Sequence, residues 1–229
     1  SIRIFNAYGE RISFDNNYGA MFPIFMKQFI KKLSKRLSQL PLPGEKSQKL
    51  MLAKPQKFIL NNKKRKTPAA VLILLYPFKD DWLFFLTKRT KTVEHHKGQI
   101  SLPGGMVEKN EEPASAAVRE TYEEIGVEKE NIKIIGSLTS LYVPISNFEI
   151  FPFIGWTIKE PKTKMHDKEV ERIFKISIND LLLEENMKRK KDTADLTTAI
   201  PYFHLDNEMV WGATSMILAE FKSILEEVV

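Results

Sequence analysis

The chain contains no cysteine, which excludes disulfide bonds and metal sites built from thiolates. No stretch reaches the roughly 20 consecutive apolar residues that a membrane-spanning helix requires. The first residues also lack the charged, apolar and small-residue regions of a signal peptide. These absences suit a reducing compartment, and we expect a cytoplasmic protein without a membrane partner.

The composition is that of a globular protein with a basic surface. The chain has 229 residues, of which 43% are hydrophobic, and a formal net charge of +6. The positive charge indicates either a lysine-rich solvated surface or attraction to an anionic partner. The basic run at 61–66 has no interleaved aromatic residues, so we do not expect nucleic-acid binding. A second copy of the chain is a candidate partner, as in a homodimer.

Three segments are expected along the chain. Residues 1–20 form an N-terminal extension, residues 21–60 a helical arm, and residues 61–229 the main domain. The sequence pattern of the arm predicts a basic amphipathic helix over 22–40, which we expect to pack on the domain or on a second subunit. Its apolar positions recur at helical spacing: Phe25, Phe29, Ile30, Leu33 and Leu37.

The main domain predicts strands mixed with a few helices, which implies a layered α/β fold. Two strands flank a Lys-Asp-Asp turn within 69–89, and a helix runs over 113–125, with Pro113 in its first turn and Gly126 as its stop. Further strands are predicted at 98–102, after Gly105, and at 132–142, 149–158 and 170–176, with a short helix at 178–183. Residues 187–195 predict a surface loop, 200–204 and 209–211 a hairpin, and 213–228 a closing helix.

The predicted helix at 113–125 ends in a dense acidic cluster. Glu120 and Glu124 are four residues apart, and Glu120 and Glu123 three, so all lie on one face with Cβ atoms roughly 5–6 Å apart. Like charges at this spacing repel, and Arg119 alone cannot neutralise them. A divalent cation can, because magnesium prefers carboxylate oxygens and keeps sites for water and phosphate. The alternative is a solvated acidic helix end.

The spacing around this cluster resembles the Nudix box, and every fixed position of that pattern is filled. The matching run is Gly105, five residues, Glu111, seven residues, Arg119-Glu120, two residues, Glu123-Glu124, one residue, Gly126-Val127. Thr121 stands where the pattern prefers an aliphatic residue. The resemblance implies a Nudix-type α/β/α sandwich with a mixed β-sheet. It also implies hydrolysis of nucleoside diphosphate derivatives with Mg²⁺ or Mn²⁺.

The resemblance assigns roles to individual residues. It implies metal binding by the Gly104 carbonyl and by Glu120, Glu123 and Glu124. Glu123 and Glu124, with Arg119 and Glu111, are the expected catalytic machinery within the box. A further carboxylate outside the box is expected near the attacking water. Glu169 is the candidate, with Glu171 and Glu149 as alternatives.

The sequence just upstream, "LTKRTKTVEHHKGQISLPGG", resembles the coenzyme A pyrophosphatase branch of the family. This resemblance implies cleavage of coenzyme A or its acyl derivatives to 4′-phosphopantetheine and adenosine 3′,5′-bisphosphate. Candidate substrate-binding residues are Lys88, Arg89, His96 and Gln99. Glu94 departs from the branch, which usually has an arginine there. Hydrolysis of ADP-ribose or another nucleoside diphosphate derivative stays open, and so does a non-catalytic ligand sensor.

Overall fold

The structure, a computed structural model, describes residues 18–53, 66–90, 98–166, 168–191 and 199–229, with side chains from Lys27 onward. The helices within these ranges are α1 Tyr18–Leu37, α2 Gly44–Gln48, α3 Pro113–Ile125, α4 Ile178–Leu182 and α5 Gly212–Val228. The strands are β1 Thr67–Phe78, β2 Asp81–Arg89, β3 Ile100–Ser101, β4 Gly104–Met106, β5 Lys133–Ser137, β6 Leu141–Val143, β7 Phe148–Trp156, β8 Val170–Ser177, β9 Met187–Lys191, β10 Ala199–Leu205 and β11 Glu208–Val210.

The central sheet is mixed and is organised around β1. This strand pairs parallel with β7 on one side, and antiparallel with both β2 and β4 on the other. The order across the sheet is β3-β2-β1-β7-β5, with β8 beside β2 and β6 beside β7. The β1–β2 hairpin confirms the two strands predicted around the Lys-Asp-Asp turn, with Phe78 opposite Asp81.

Alternate residues of β1 point into two different cores, because successive side chains of a strand face opposite sides of a sheet. Leu72, Leu74 and Tyr76 pack beneath α3 with Ala116 and Ile125. The intervening side chains pack with α1 and α5 in the larger core, which includes Ile73, Leu75, Leu33, Phe221 and Leu225. Helices therefore cover both faces, and the predicted α/β/α sandwich with a mixed sheet is confirmed.

The basic N-terminal helix packs on the domain. Its apolar face is buried, with Leu33 fully enclosed and the Phe29 ring 5.1 Å from that of Trp82. The helix runs over 18–37 rather than the predicted 22–40, and the boundary predicted at residue 60 lies outside the described residues. Arg36 pairs with Glu227 of α5, which joins the two helices at their exposed edge. None of the helices in the described ranges is both long and apolar enough to cross a membrane.

Two predicted elements are wrong. Residues 187–191, expected in a loop, form the edge strand β9, because the apolar strand β10 supplies its hydrogen-bonding partner. The remainder of that predicted loop, 192–195, lies outside the described residues. The single strand expected at 132–142 is interrupted between β5 and β6, where the Leu138 amide still donates to the Pro152 carbonyl at 2.9 Å.

The packing of α1 can be tested by truncating its central side chain. Leu33→Ala should lower the free energy of unfolding by about 2–5 kcal/mol, because deleting a fully buried leucine leaves a cavity. Lys31→Ala, at an exposed position of the same helix, should change it by no more than about 0.5 kcal/mol. Urea unfolding followed by tryptophan fluorescence measures both. Equally small effects in the two variants would contradict the packing.

Candidate active site

The acidic cluster lies where strand β4 approaches the end of α3. Residues 104–106 pair with 69–71 of β1, and Gly104 has no room for a side chain because a Cβ would overlap the Ala70 and Val71 backbone. A Cβ at Gly105 would likewise overlap the Glu120 carboxylate. Both glycines therefore permit close approach, between strands at Gly104 and between loop and carboxylate at Gly105.

Arg119 holds this loop against the helix. Its guanidinium donates two hydrogen bonds to Glu111, at 2.8 and 3.0 Å, and one to the Met106 carbonyl at 3.1 Å. It also donates to Glu120 at 2.8 Å and to Glu123 at 3.1 Å. Its hydrogen bonds hold the pKa of Glu111 below the usual value, so Glu111 is ionised at neutral pH. One planar cation thus bridges the loop and two helix carboxylates.

Glu120 and Glu124 occupy a partly dehydrated environment. Burial raises the pKa of Glu120; Arg119 opposes this shift, and Glu123 and Glu169 add to it. Glu124 is 3% exposed, and burial raises its pKa to about 8, opposed by the charge of Arg89 and by the Gly104 amide. The Glu124 Oε2 atom has no hydrogen-bond partner within the described part of the chain. A buried carboxylate oxygen without a donor is an unusual feature, and a cation would relieve it.

The residues fit a magnesium-type site that is completed by ligands from outside the protein. No group of three acidic or histidine side chains among the described residues is arranged to hold an ion by itself. Magnesium usually takes one or two carboxylates and completes its shell with water and substrate phosphates. Glu120 and the unpartnered Glu124 oxygen meet that requirement, and Glu123 lies on the exposed side of the same cluster.

The segment between β7 and β8 brings Glu169 to the cluster. Glu169 lines the same groove as Glu123, and its charge helps to raise the pKa values of Glu120 and Glu124. The segment is fixed to the end of α3 by two backbone hydrogen bonds, from Lys164 to Ile125 at 2.8 Å and from His166 to Glu124 at 3.1 Å. The sequence does not indicate this attachment: its pattern predicts Gly126 only as the helix stop, whereas in the structure a Cβ there would stand 2.8 Å from the Lys164 carbonyl oxygen.

The alternatives to Glu169 have other surroundings. Glu149 forms an ion pair with Lys66 at 2.9 Å, and Glu171 is exposed on β8. Thr121, which departs from the aliphatic preference of the pattern, is fully buried and donates to the Ala117 carbonyl at 2.7 Å. Its hydroxyl is thereby satisfied inside the helix, which explains how a polar residue is accommodated there.

Two of the candidate substrate residues, Arg89 and Lys88, point to different sides of the sheet. Arg89 ends β2 on the α3 side, where its charge reaches Glu124, and its Nε is buried without a partner among the described residues. Lys88 instead pairs with Glu208 of β11 at 2.8 Å. The Gln99 carbonyl accepts a hydrogen bond from the Arg89 amide at 3.0 Å. His96 and Glu94 lie outside the described residues.

Comparison with known proteins identifies related chains. The NUDIX domain family model matches residues 66–196, more than half of the chain. Nudix hydrolase 3 of Caenorhabditis elegans is 27% identical over 87% of this chain and 84% of its own length. The mitochondrial Nudix hydrolase 15 of Arabidopsis thaliana is 31% identical over 69% of this chain. The matched region covers 59% of the length of that relative. The crystal structure of a Nudix hydrolase from M. smegmatis is 14% identical in sequence and aligns with a TM-score of 0.48. The alignment covers 70% of this chain and 87% of that chain.

A pair of glycine variants can distinguish the effect of displacing the Glu169 segment from the effect of backbone strain at Gly126. Gly126 and Gly212 have nearly the same left-handed φ, 68° and 67°, but only at Gly126 would a Cβ meet other atoms within 4 Å. Backbone strain alone should cost each alanine variant about 1–2 kcal/mol of stability. Gly126→Ala should also displace the segment that carries Glu169, and lower kcat for pyrophosphate hydrolysis at least tenfold more than Gly212→Ala. Equal kcat values in the two variants would remove the attachment from the mechanism.

Proposed function

The chain belongs to the Nudix hydrolase family, and we propose that it hydrolyses the pyrophosphate bond of coenzyme A or its acyl derivatives. The products would be 4′-phosphopantetheine and adenosine 3′,5′-bisphosphate. The carboxylate face of α3, with the unpartnered Glu124 oxygen, supports the pyrophosphohydrolase chemistry. The coenzyme A assignment is supported by the upstream signature, which runs through β2 and β3 directly into the Gly104–Met106 strand.

Each charged residue has a distinct task in this proposal. Glu120 and Glu124, aided by Glu123 and the Gly104 carbonyl, would hold Mg²⁺ or Mn²⁺. Such an ion polarises phosphoryl oxygens and lowers the pKa of a bound water. Arg119 holds the carboxylates in position through its hydrogen bonds. Glu169 would accept the proton of the attacking water at its carboxylate.

Arg89 is the proposed phosphate contact. A guanidinium can donate two parallel hydrogen bonds to a phosphate, and the buried Nε of Arg89 has no partner among the described residues. Its charge lowers the pKa of Glu124, so a phosphate bound by Arg89 would lie on the carboxylate side of the sheet. Lys88, held by Glu208, would support this end of β2 through its ion pair. His96 and Gln99 stay candidate substrate contacts from the same signature.

Removing either ligand carboxylate should abolish most of the activity. Glu120→Gln and Glu124→Gln preserve shape but remove a hard anionic ligand, so we expect kcat to fall by at least a factor of about 100, or roughly 2.7 kcal/mol. Glu112→Gln, at an exposed position before the helix, is the matched control and should retain full activity. Chelation of divalent ions should inactivate the wild type reversibly. Near-normal turnover by both variants at saturating metal would exclude this mechanism.

A panel of substrates tests the specificity. With magnesium or manganese, coenzyme A or an acyl derivative should be cleaved faster than ADP-ribose at equal concentration. A tenfold preference for ADP-ribose or a dinucleoside polyphosphate would overturn the coenzyme A assignment and leave the hydrolase assignment intact. Tight binding of nucleotides without any turnover would instead favour a ligand sensor.

A further inference from the structure

A cavity of about 230 Å³ opens between α2, β6 and α5, outside the Nudix box and its upstream signature. Apolar side chains of β6, α5 and the segment after α2 form its walls, and polar groups stand among them. The residues that matter here are Gln48, Leu52, Lys66, Leu141, Tyr142 and Met216.

Gln48 presents a fixed hydrogen-bond acceptor to this cavity. Its side-chain Nε2 donates to the Thr139 carbonyl at 3.1 Å and to Glu220 at 2.9 Å. Both amide hydrogens are therefore used, and the reverse orientation would set oxygen against two acceptors. Gln48 is only 2% exposed and lines the cavity, so its Oε1 is left to accept a hydrogen bond from within.

Buried Glu220 fixes the orientation of Gln48. Besides Gln48, this carboxylate accepts hydrogen bonds from the Gly44 amide at 3.1 Å and from the Thr139 amide and hydroxyl at 3.2 and 2.7 Å. Glu220 is fully buried, and these donors satisfy it without a cation. Because the network joins α2, the β5–β6 connection and α5, the acceptor is preorganised rather than free to rotate.

The charge around the cavity is balanced. Lys66 pairs with Glu149 at 2.9 Å, and Lys49 pairs with Glu45 at 2.7 Å. Each lysine is thus matched by a carboxylate, unlike a site built for a phosphate group. Leu52, Leu141 and Met216 supply apolar wall. The surroundings therefore favour a neutral, partly apolar group that donates a hydrogen bond to Gln48.

The cavity and the carboxylate face lie on opposite faces of the sheet, but both are near the first half of β1. Lys66, at its rim, is four residues before Ala70, which pairs with Gly105 beside Glu120. Four residues of extended chain span about 13 Å. The pantetheine arm of coenzyme A, with its two amide units, has about the length of four extended residues. The length of the arm thus matches the separation along β1, and an arm leaving a pyrophosphate at Glu120 would pass around the start of β1 to enter the cavity.

We propose that this cavity binds the neutral pantetheine arm of the substrate, with Gln48 Oε1 accepting a hydrogen bond from an amide N–H of the arm. The assignment rests on the proposed coenzyme A pyrophosphatase function. It makes Gln48 a specificity residue, remote from the reacting phosphates, and Glu220 the residue that positions it.

Filling the cavity tests this site against a matched control. Leu52→Trp places a large ring in the cavity, whereas Leu50→Trp adds the same ring two residues away at a half-exposed position outside it. Leu52→Trp should raise KM for coenzyme A at least tenfold with kcat within twofold, and Leu50→Trp should change neither. Met216→Phe, which narrows the cavity from α5, repeats the test if Leu52→Trp does not fold.

Pantetheine alone provides a readout independent of hydrolysis and of metal. Ligand-observed NMR should detect its binding to the wild type and to Leu50→Trp, and should detect none to Leu52→Trp. Equal binding to all three proteins, or displacement of pantetheine by adenosine, would overturn the proposal. If the wild type binds pantetheine in the cavity yet does not cleave coenzyme A, the proposed function fails while the site stands. If it cleaves coenzyme A with an unchanged KM in both cavity variants, the site alone fails.

Discussion

The arrangement of the candidate active site depends on one guanidinium. Arg119 carries a single positive charge into a cluster of carboxylates that would otherwise repel one another, and its planar fork reaches two of them and Glu111 at once. Because it also binds the Met106 carbonyl, it fixes the approach of the glycine loop to the helix. Arg119 does not donate a hydrogen bond to Glu124, which is buried and has one oxygen atom without a partner among the described residues. The negative charge of the cluster is therefore incompletely neutralised on the Glu124 side. In the proposed function, the cation and the substrate phosphate bind on that side.

In the proposed function, the two layers on either face of the sheet act on opposite parts of a single substrate. One face of β1 packs under α3 and carries the carboxylate cluster, whereas the other face packs against α1 and α5. The cavity near Gln48 belongs to the second layer but opens near the start of the same strand. In the proposed function, the first layer would supply reaction chemistry and the second would select the group beyond the pyrophosphate. Within the described part of the chain, the cavity itself offers no free cation to an anionic group, because its rim lysines Lys49 and Lys66 are paired with carboxylates.

Local sequence patterns predicted the elements whose boundaries and faces are encoded locally. The helix at 113–125 matches its predicted bounds, since Pro113 can begin a helix and Gly126 takes the left-handed conformation that ends it. The same spacing fixed which carboxylates share a helix face. β9 was not predicted, because its lysines and arginine do not alternate with apolar residues. These residues form a strand only through pairing with β10.

The amino-acid sequence by itself determined the carboxylate face, the arginine within it and the strands that lead to the glycine loop. Their spacing along one helix or one hairpin is a local property of the chain. Tertiary structure alone decided that Lys88 pairs with Glu208, that the Glu169 segment binds the end of α3, and that Glu220 orients Gln48. These contacts join residues far apart in the chain. Periodicity indicates which side of an element is buried, but it does not indicate the partner against which that side packs.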